Sequence, residues 1–168
     1  MTTSGGAATF TTAGKMQTPN KVLDTTASYS VSAWVKAGSL TATQTALGQG
    51  GTNNAAFSLQ YNSSLAKWAF SAPATDTASP STTYSATSTT SVTANTWVHM
   101  VAVFDAATKR MSLYVNNVAG TSVTNPTPLA STSGLPIGGN TWKTGGSTFV
   151  GSVDNVQAYQ RALSAADV

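Results

Sequence analysis

The sequence predicts an all-β fold, a sandwich or barrel of short antiparallel strands. Two observations carry that reading. β-Branched and aromatic runs are separated at short spacing by clusters of Gly, Asn, Ser and Pro. Several of those runs alternate apolar and polar residues with a period of two, the spacing of a half-buried strand. The length of 168 residues suits one domain, taken as residues 1–168, and the 40% hydrophobic content is enough for one core.

The elements follow in chain order. Tyr29 to Lys36 reads as a strand with Tyr29, Val31, Ala33 and Val35 on one face and Ser30, Ser32, Trp34 and Lys36 on the other. Gly48 to Asn54 reads as a loop. Phe57 to Tyr61, a turn at Asn62-Ser63-Ser64, and Lys67 to Ser71 form a hairpin, with Trp68 and Phe70 sharing a face. Of the 26 residues in 71–96, 15 are Ser or Thr. A linker there would leave two halves too small to be stable without Cys or metal staples. The segment is therefore a surface loop followed by a polar edge strand near Tyr84 to Val92. Trp97 to Phe104 is apolar on both faces and reads as a covered central strand; Trp34 and Trp97 both fall in recurring strand motifs and are expected to pack in the core. Asp105 to Arg110 turns the chain, Met111 to Val115 returns, and Asn116-Asn117 turns again. Phe149 to Tyr159 is the last strand, and its broken alternation around Asp154 and Asn155 predicts a bulge. The one helix candidate is terminal, with Ser164 as its N-cap and Asp167 three residues later in the capping-box position.

Composition narrows the chemistry. The chain has no Glu, no Cys, one His (His99) and five Asp: Asp24, Asp76, Asp105, Asp154 and Asp167. Without Cys there are no disulfides and no thiolate metal sites. The net charge of +3 is spread over scattered Lys and Arg with one adjacent pair, Lys109-Arg110, which is not the basic stripe of a nucleic-acid binder. No apolar run approaches the roughly 20 residues of a spanning helix, so membrane insertion is not expected. The start, Met-Thr-Thr-Ser-Gly-Gly, lacks the basic and apolar regions of a signal peptide. The expectation is a domain of a longer secreted or surface chain.

Four motifs recur in order: Ser32-Ala33-Trp34-Val35-Lys36; Trp97-x-His99-x-Val101-x-Val103-x-Asp105; Leu113-Tyr114-Val115-Asn116-Asn117; and Phe149-x-Gly151-x-Val153-Asp154-x-Val156-x-x-Tyr159-x-Arg161-Ala162-Leu163-Ser164. Together they resemble the bacterial laminin-G-like (LamG-like) jelly-roll domains of the concanavalin A-like lectin/glucanase superfamily. The resemblance runs from about Ala7 to Val168. It implies a two-sheet antiparallel jelly-roll sandwich, one sheet concave and one convex. It also implies a non-catalytic module, since hydrolases of this superfamily use closely spaced acidic residues on one strand.

Glycoside hydrolysis needs two carboxyls about 5 to 9.5 Å apart. A chain with no Glu and five dispersed Asp does not offer such a pair on one strand. His99 lies on the central apolar strand and reads as structural. The resemblance also implies a structural calcium at Asp154, with carbonyl donors near Phe10 to Lys15 and Gly48 to Gly50; the alternative is that Asp154 caps a turn.

A sugar site needs an aromatic platform with amides or carboxylates beside it. Trp142, in the Gly138–Gly146 loop with Asn140, is the leading candidate, with a lid over the sandwich end as the competing role. Trp68 fits core or ligand equally, and Tyr84, Asn53 and Asn54 complete the candidate set. Two functions of different class follow. One is a carbohydrate-binding or adhesion module that recognises a polysaccharide or cell-surface glycan. The other is a structural or protein-interaction domain of a surface appendage, toxin-delivery or phage virion protein, with a protein partner and no sugar site.

Overall fold

The protein is described by a computed structural model covering residues 2–4 (backbone), 6–12, 14–142 and 147–168. Its strands in chain order are β1 (Thr2–Ser4), β2 (Ala7–Phe10), β3 (Met16–Gln17), β4 (Tyr29–Ala37), β5 (Gln44–Gly50), β6 (Ala55–Asn62) and β7 (Lys67–Pro73). They continue with β8 (Thr83–Thr87), β9 (Val98–Asp105), β10 (Arg110–Val115), β11 (Val118–Thr124), β12 (Pro136–Ile137) and β13 (Gly151–Tyr159). All pairings are antiparallel. A seven-stranded sheet runs β1-β2-β13-β4-β9-β10-β11, and a six-stranded sheet runs β3-β12-β5-β6-β7-β8. Among the described residues no helix is long and apolar enough to cross a membrane.

The period-two pattern decides which residues meet between the sheets. From the seven-stranded sheet Tyr29, Val31, Ala33, Val35, Met100, Ala102, Phe104, Met111 and Leu113 point inward. From the six-stranded sheet Leu47, Phe57, Leu59, Tyr61, Trp68 and Phe70 meet them. Tyr29 is the hinge of this packing. Its ring centroid lies 5.0 Å from Phe57, 6.2 Å from Phe70 and 5.6 Å from Phe104, so one side chain joins both layers. Burial pushes the Tyr29 phenol well above its ordinary pKa.

Local chemistry sets the turns. Asn116 and Asn117 both adopt left-handed φ, 51° and 63°, as a two-residue type I′ hairpin requires between β10 and β11. Asp105 accepts the backbone N–H of Ala107 (2.9 Å) and the Thr108 hydroxyl (2.7 Å), which closes the β9–β10 turn. The predicted bulge is present: the register of β13 against β4 shifts between Asp154 and Gln157, and Asn155 has φ of 49°. Near the chain's end, the Asp167 carboxylate accepts the Ser164 N–H (2.9 Å) and hydroxyl (2.9 Å), but the helix expected to start there is a turn among the described residues.

Three expectations are corrected. Gly48 to Asn54 is not one loop: residues through Gly50 belong to β5, and only 51–54 turn. The strand near Tyr84 to Val92 ends at Thr87, where Ser88 leaves the ladder with its N–H on the Trp68 carbonyl (2.9 Å) and its hydroxyl on the Thr90 carbonyl (2.7 Å). Trp34 is 41% exposed, and Trp97 is partly exposed with the Lys36 ammonium 5.1 Å over its ring. Both project from the outer face of the seven-stranded sheet: the inward positions of β4 are taken by Val31, Ala33 and Val35, and Trp97 precedes Val98, which packs toward the core with Met100.

Candidate functional site

The outer face of the six-stranded sheet carries the polar half of each alternation. Thr45 on β5, Ser58 and Gln60 on β6, Ser71 on β7 and Thr83 on β8 line a cleft of about 320 Å³, and Trp142 closes one side. The hydroxyls and amide are held by one another. Ser58 donates to the Gln60 side-chain carbonyl (3.3 Å), and the Gln60 amide donates to Ser71 Oγ (3.2 Å). Ser71 and Ser85 share a 2.8 Å hydrogen bond. This chain crosses three strands, so its polar groups are oriented before any ligand arrives.

Trp142 is placed by glycine. A Cβ on Gly48 would lie 3.1 Å from Trp142 Cη2, and one on Gly50 would lie 3.2 Å from Trp142 Cε3. The indole thus rests on two bare positions of β5 and is partly buried. The base of its loop is fixed by a bridge between Gly139 and Thr148 and by the Asn140 N–H on the Ser147 carbonyl (3.1 Å). Beyond the loop, Ser147 donates to Thr45 Oγ1 (2.8 Å) and accepts the Thr45 N–H (3.1 Å). Lys143 to Gly146, the rest of the predicted loop, lie outside the described residues.

The other candidates separate. Asn54 lines the cleft, while its N–H and that of Asn53 both donate to Asp76 Oδ1, at 2.7 and 2.8 Å. Thr52 N–H donates to Asp76 Oδ2 (2.7 Å), so Asp76 organises the whole 51–54 turn. Desolvation opposes ionisation of Asp76, but the three backbone donors outweigh it and hold its carboxyl below the ordinary aspartate range. Asn140 lines the cleft although it is buried, and its carbonyl accepts the Lys15 ammonium (3.1 Å).

Trp68 is a correction. At 2% exposure it packs edge-on against Tyr61, centroids 6.4 Å apart, inside the core, so it offers no platform to a sugar. Tyr84 packs partly buried against the same core, because it falls on the inward face of β8.

Two parts of the donor set expected for calcium lie apart. Asp154 lies beside Trp34 on the outer face of the seven-stranded sheet, whereas Gly48 to Gly50 belong to the opposite sheet. The Gly50 carbonyl already accepts Thr132 N–H (3.0 Å), Ser133 N–H (3.2 Å) and the Ser133 hydroxyl (3.1 Å). Among the described residues no cluster of three or more His or Asp side chains forms, and calcium wants six to eight oxygens. Asp154 accepts the Asn155 N–H (2.8 Å) and serves the bulge.

Sequence reasoning passed over two residues. Asp76 reads as an ordinary loop residue. Gln49, flanked by glycines, hides a fully buried amide that accepts Leu23 N–H (3.0 Å) and Val22 N–H (3.2 Å), and donates to the Leu23 carbonyl (2.7 Å) and the Ser131 hydroxyl. A Gln in a glycine-rich run followed by an apolar hairpin was the available signal, and it is a weak one.

Known structures share this architecture. A heptameric SAP-like pentraxin from Limulus polyphemus superposes with a TM-score of 0.70 at 13% identity, over 95% of this chain and 77% of the pentraxin. The LG4-5 domains of the mouse laminin alpha1 chain give 0.70 at 15% identity, over 95% of this chain and 44% of theirs. The CBM40 module of the Ruminococcus gnavus IT-sialidase, solved with alpha2,3 sialyllactose, gives 0.66 at 15% identity, over 90% of this chain and 92% of the module. At these identities the likeness is one of fold. No curated protein matches the sequence. A laminin-G-type sequence model does, across residues 10–168, and the chain accordingly belongs to the concanavalin A-like lectin/glucanases superfamily.

Proposed function

We propose that this domain is a non-catalytic carbohydrate-binding or adhesion module of a larger secreted or surface protein, with the Trp142 cleft as its sugar site. One observation carries the reading: an indole seated on Gly48 and Gly50 beside a hydroxyl and amide network that spans three strands. A pyranose presents an apolar C–H face and a ring of hydroxyls, and this cleft answers both. The described lining carries no charged side chain, which favours a neutral sugar.

The acidic residues support binding without cleavage. Asp24, Asp76, Asp105, Asp154 and Asp167 each accept hydrogen bonds in separate turns or at the bulge, and none of them lines the cleft. A hydrolase would need two facing carboxyls at the scissile bond. The fold's occurrence in laminin and in a sialidase-linked module supports the surface setting.

A glycan array with and without EDTA tests the reading. Retention of one or more neutral glycans is expected, unchanged by EDTA. Trp142→Ala should weaken it at least tenfold, about 1.4 kcal/mol. An array blank for the wild type, or full binding by the variant, overturns the assignment of this cleft.

A further inference from the structure

The opposite face of the sandwich holds a second aromatic site. Trp34, Trp97, Asp154 and Asn155 surround an open depression of about 350 Å³ on the outer face of the seven-stranded sheet. Trp34 is its most exposed aromatic at 41%, in a strand whose other outward residues are Ser30, Ser32 and Lys36. Two side chains set the indole's surroundings. The His99 ring lies 5.4 Å away at an interplanar angle of 36°, and Asp154 is the direct cross-strand partner of Trp34 on β13.

The bulge gives this patch its polar edge. In a regular strand consecutive residues face opposite sides of the sheet, so Asp154 and Asn155 would be parted. The register shift and the left-handed Asn155 bring both to the same depression. Asp154 Oδ1 is taken by the Asn155 N–H, and Oδ2 makes no hydrogen bond among the described residues. A carboxylate oxygen and a carboxamide therefore stand beside an exposed indole, as acceptor and as donor–acceptor.

The charges choose the ligand. The Lys36 ammonium already lies 5.1 Å over the Trp97 ring, so the patch holds a cation of its own and disfavours a second. Asp154 disfavours an anion at the same place. A neutral ligand with an apolar face and hydroxyl edges matches what remains.

We propose that the Trp34–Trp97 depression is a second saccharide site, which stacks a neutral pyranose on Trp34 and binds its hydroxyls through Asp154 and Asn155. It uses no residue of the Trp142 cleft, so it stands or falls apart from the preceding assignment. Two sites on opposite faces would let one domain bridge two polysaccharide chains and gain avidity.

Indole N–H resonances of the four tryptophans, followed by NMR, separate the two sites. The probes are maltohexaose, cellohexaose, laminarihexaose, xylohexaose and mannohexaose, with choline chloride as the cationic comparison. Saturable shifts of the Trp34 and Trp97 signals are expected with at least one hexasaccharide, and equally in Trp142→Ala. Asp154→Ala should raise the Kd read from the Trp97 signal at least tenfold, and Trp34→Ala should abolish that shift, with both variants keeping the wild-type circular dichroism spectrum. The site is overturned if no hexasaccharide moves the Trp34 signal, if choline moves it and the sugars do not, or if it moves with protein concentration alone.

Discussion

Asp76 shows how much a single side chain organises. Its carboxylate gathers three consecutive backbone N–H groups, and the turn at 52–54 closes on it at the rim of the cleft. Its pKa is lowered in the folded state, so the unfolded chain binds the proton more readily. The stabilisation is therefore complete above the unfolded value near pH 4 and is lost as pH falls through the folded value. Asp76→Asn should be less stable than wild type at neutral pH, and the gap should narrow between about pH 4 and 2, as chemical denaturation across that range will read. A constant gap down to pH 2 would remove the charge from this account. The same residue marks a limit of sequence reading. A long-range contact between 76 and 52–54 leaves no periodic trace, whereas the Asp105 turn, whose partners sit two and three residues away, was readable at once.

At the level of elements, β5 departs most from what its residues suggest. Gly48, Gly50 and Gly51 look like turn formers, yet Gly48 and Gly50 are strand residues of β5 and the turn begins only at Gly51. The reason is steric rather than conformational: a Cβ at 48 would meet the Phe57 carbonyl at 2.5 Å and one at 50 would meet Ser133 Oγ at 2.6 Å, and at both positions the Trp142 ring lies just beyond, at 3.1 and 3.2 Å. Gly50→Ala places a methyl 2.6 Å from Ser133 Oγ and 3.2 Å from Trp142 Cε3. It should leave β5 paired, lift the indole, and reduce glycan retention severalfold with a loss of about 1 kcal/mol in stability. Titration calorimetry beside thermal unfolding checks both halves, and unaltered affinity would mean the ring's seat is irrelevant. Alternation made the hairpin of β6 and β7 and the strands β4, β9 and β10 legible. Motif membership says nothing about which way Trp34 and Trp97 face: Trp34 shares the polar side of its strand with Ser30, Ser32 and Lys36, and that alternation, rather than the motif, decides its exposure.

Across the whole molecule, a broad core joins the layers, and an aromatic cluster lies within it. Phe57 and Phe70 reach from the six-stranded sheet to Tyr29, and all three are buried. Phe70→Ala should cost about 3–5 kcal/mol, measured by urea denaturation. A cost below about 1 kcal/mol would show that this aromatic cluster contributes little to holding the layers together. The all-β class and the superfamily were legible because the four strand motifs keep their order over most of the chain. The ligand surface was not, since two sheets brought together from distant segments decide which polar rows face outward.

The place of β13 has a consequence for how the polypeptide acquires its shape. The strand latest in sequence is inserted between β2 and β4, and on its ladder Val153 meets Ala8 on one flank and Val35 on the other. Until it arrives, the larger layer is split by a gap one strand wide, with two raw borders open to mispairing. Closure across such separations is slow, so emergence from the ribosome should leave this fold incomplete until β13 is free to slot in.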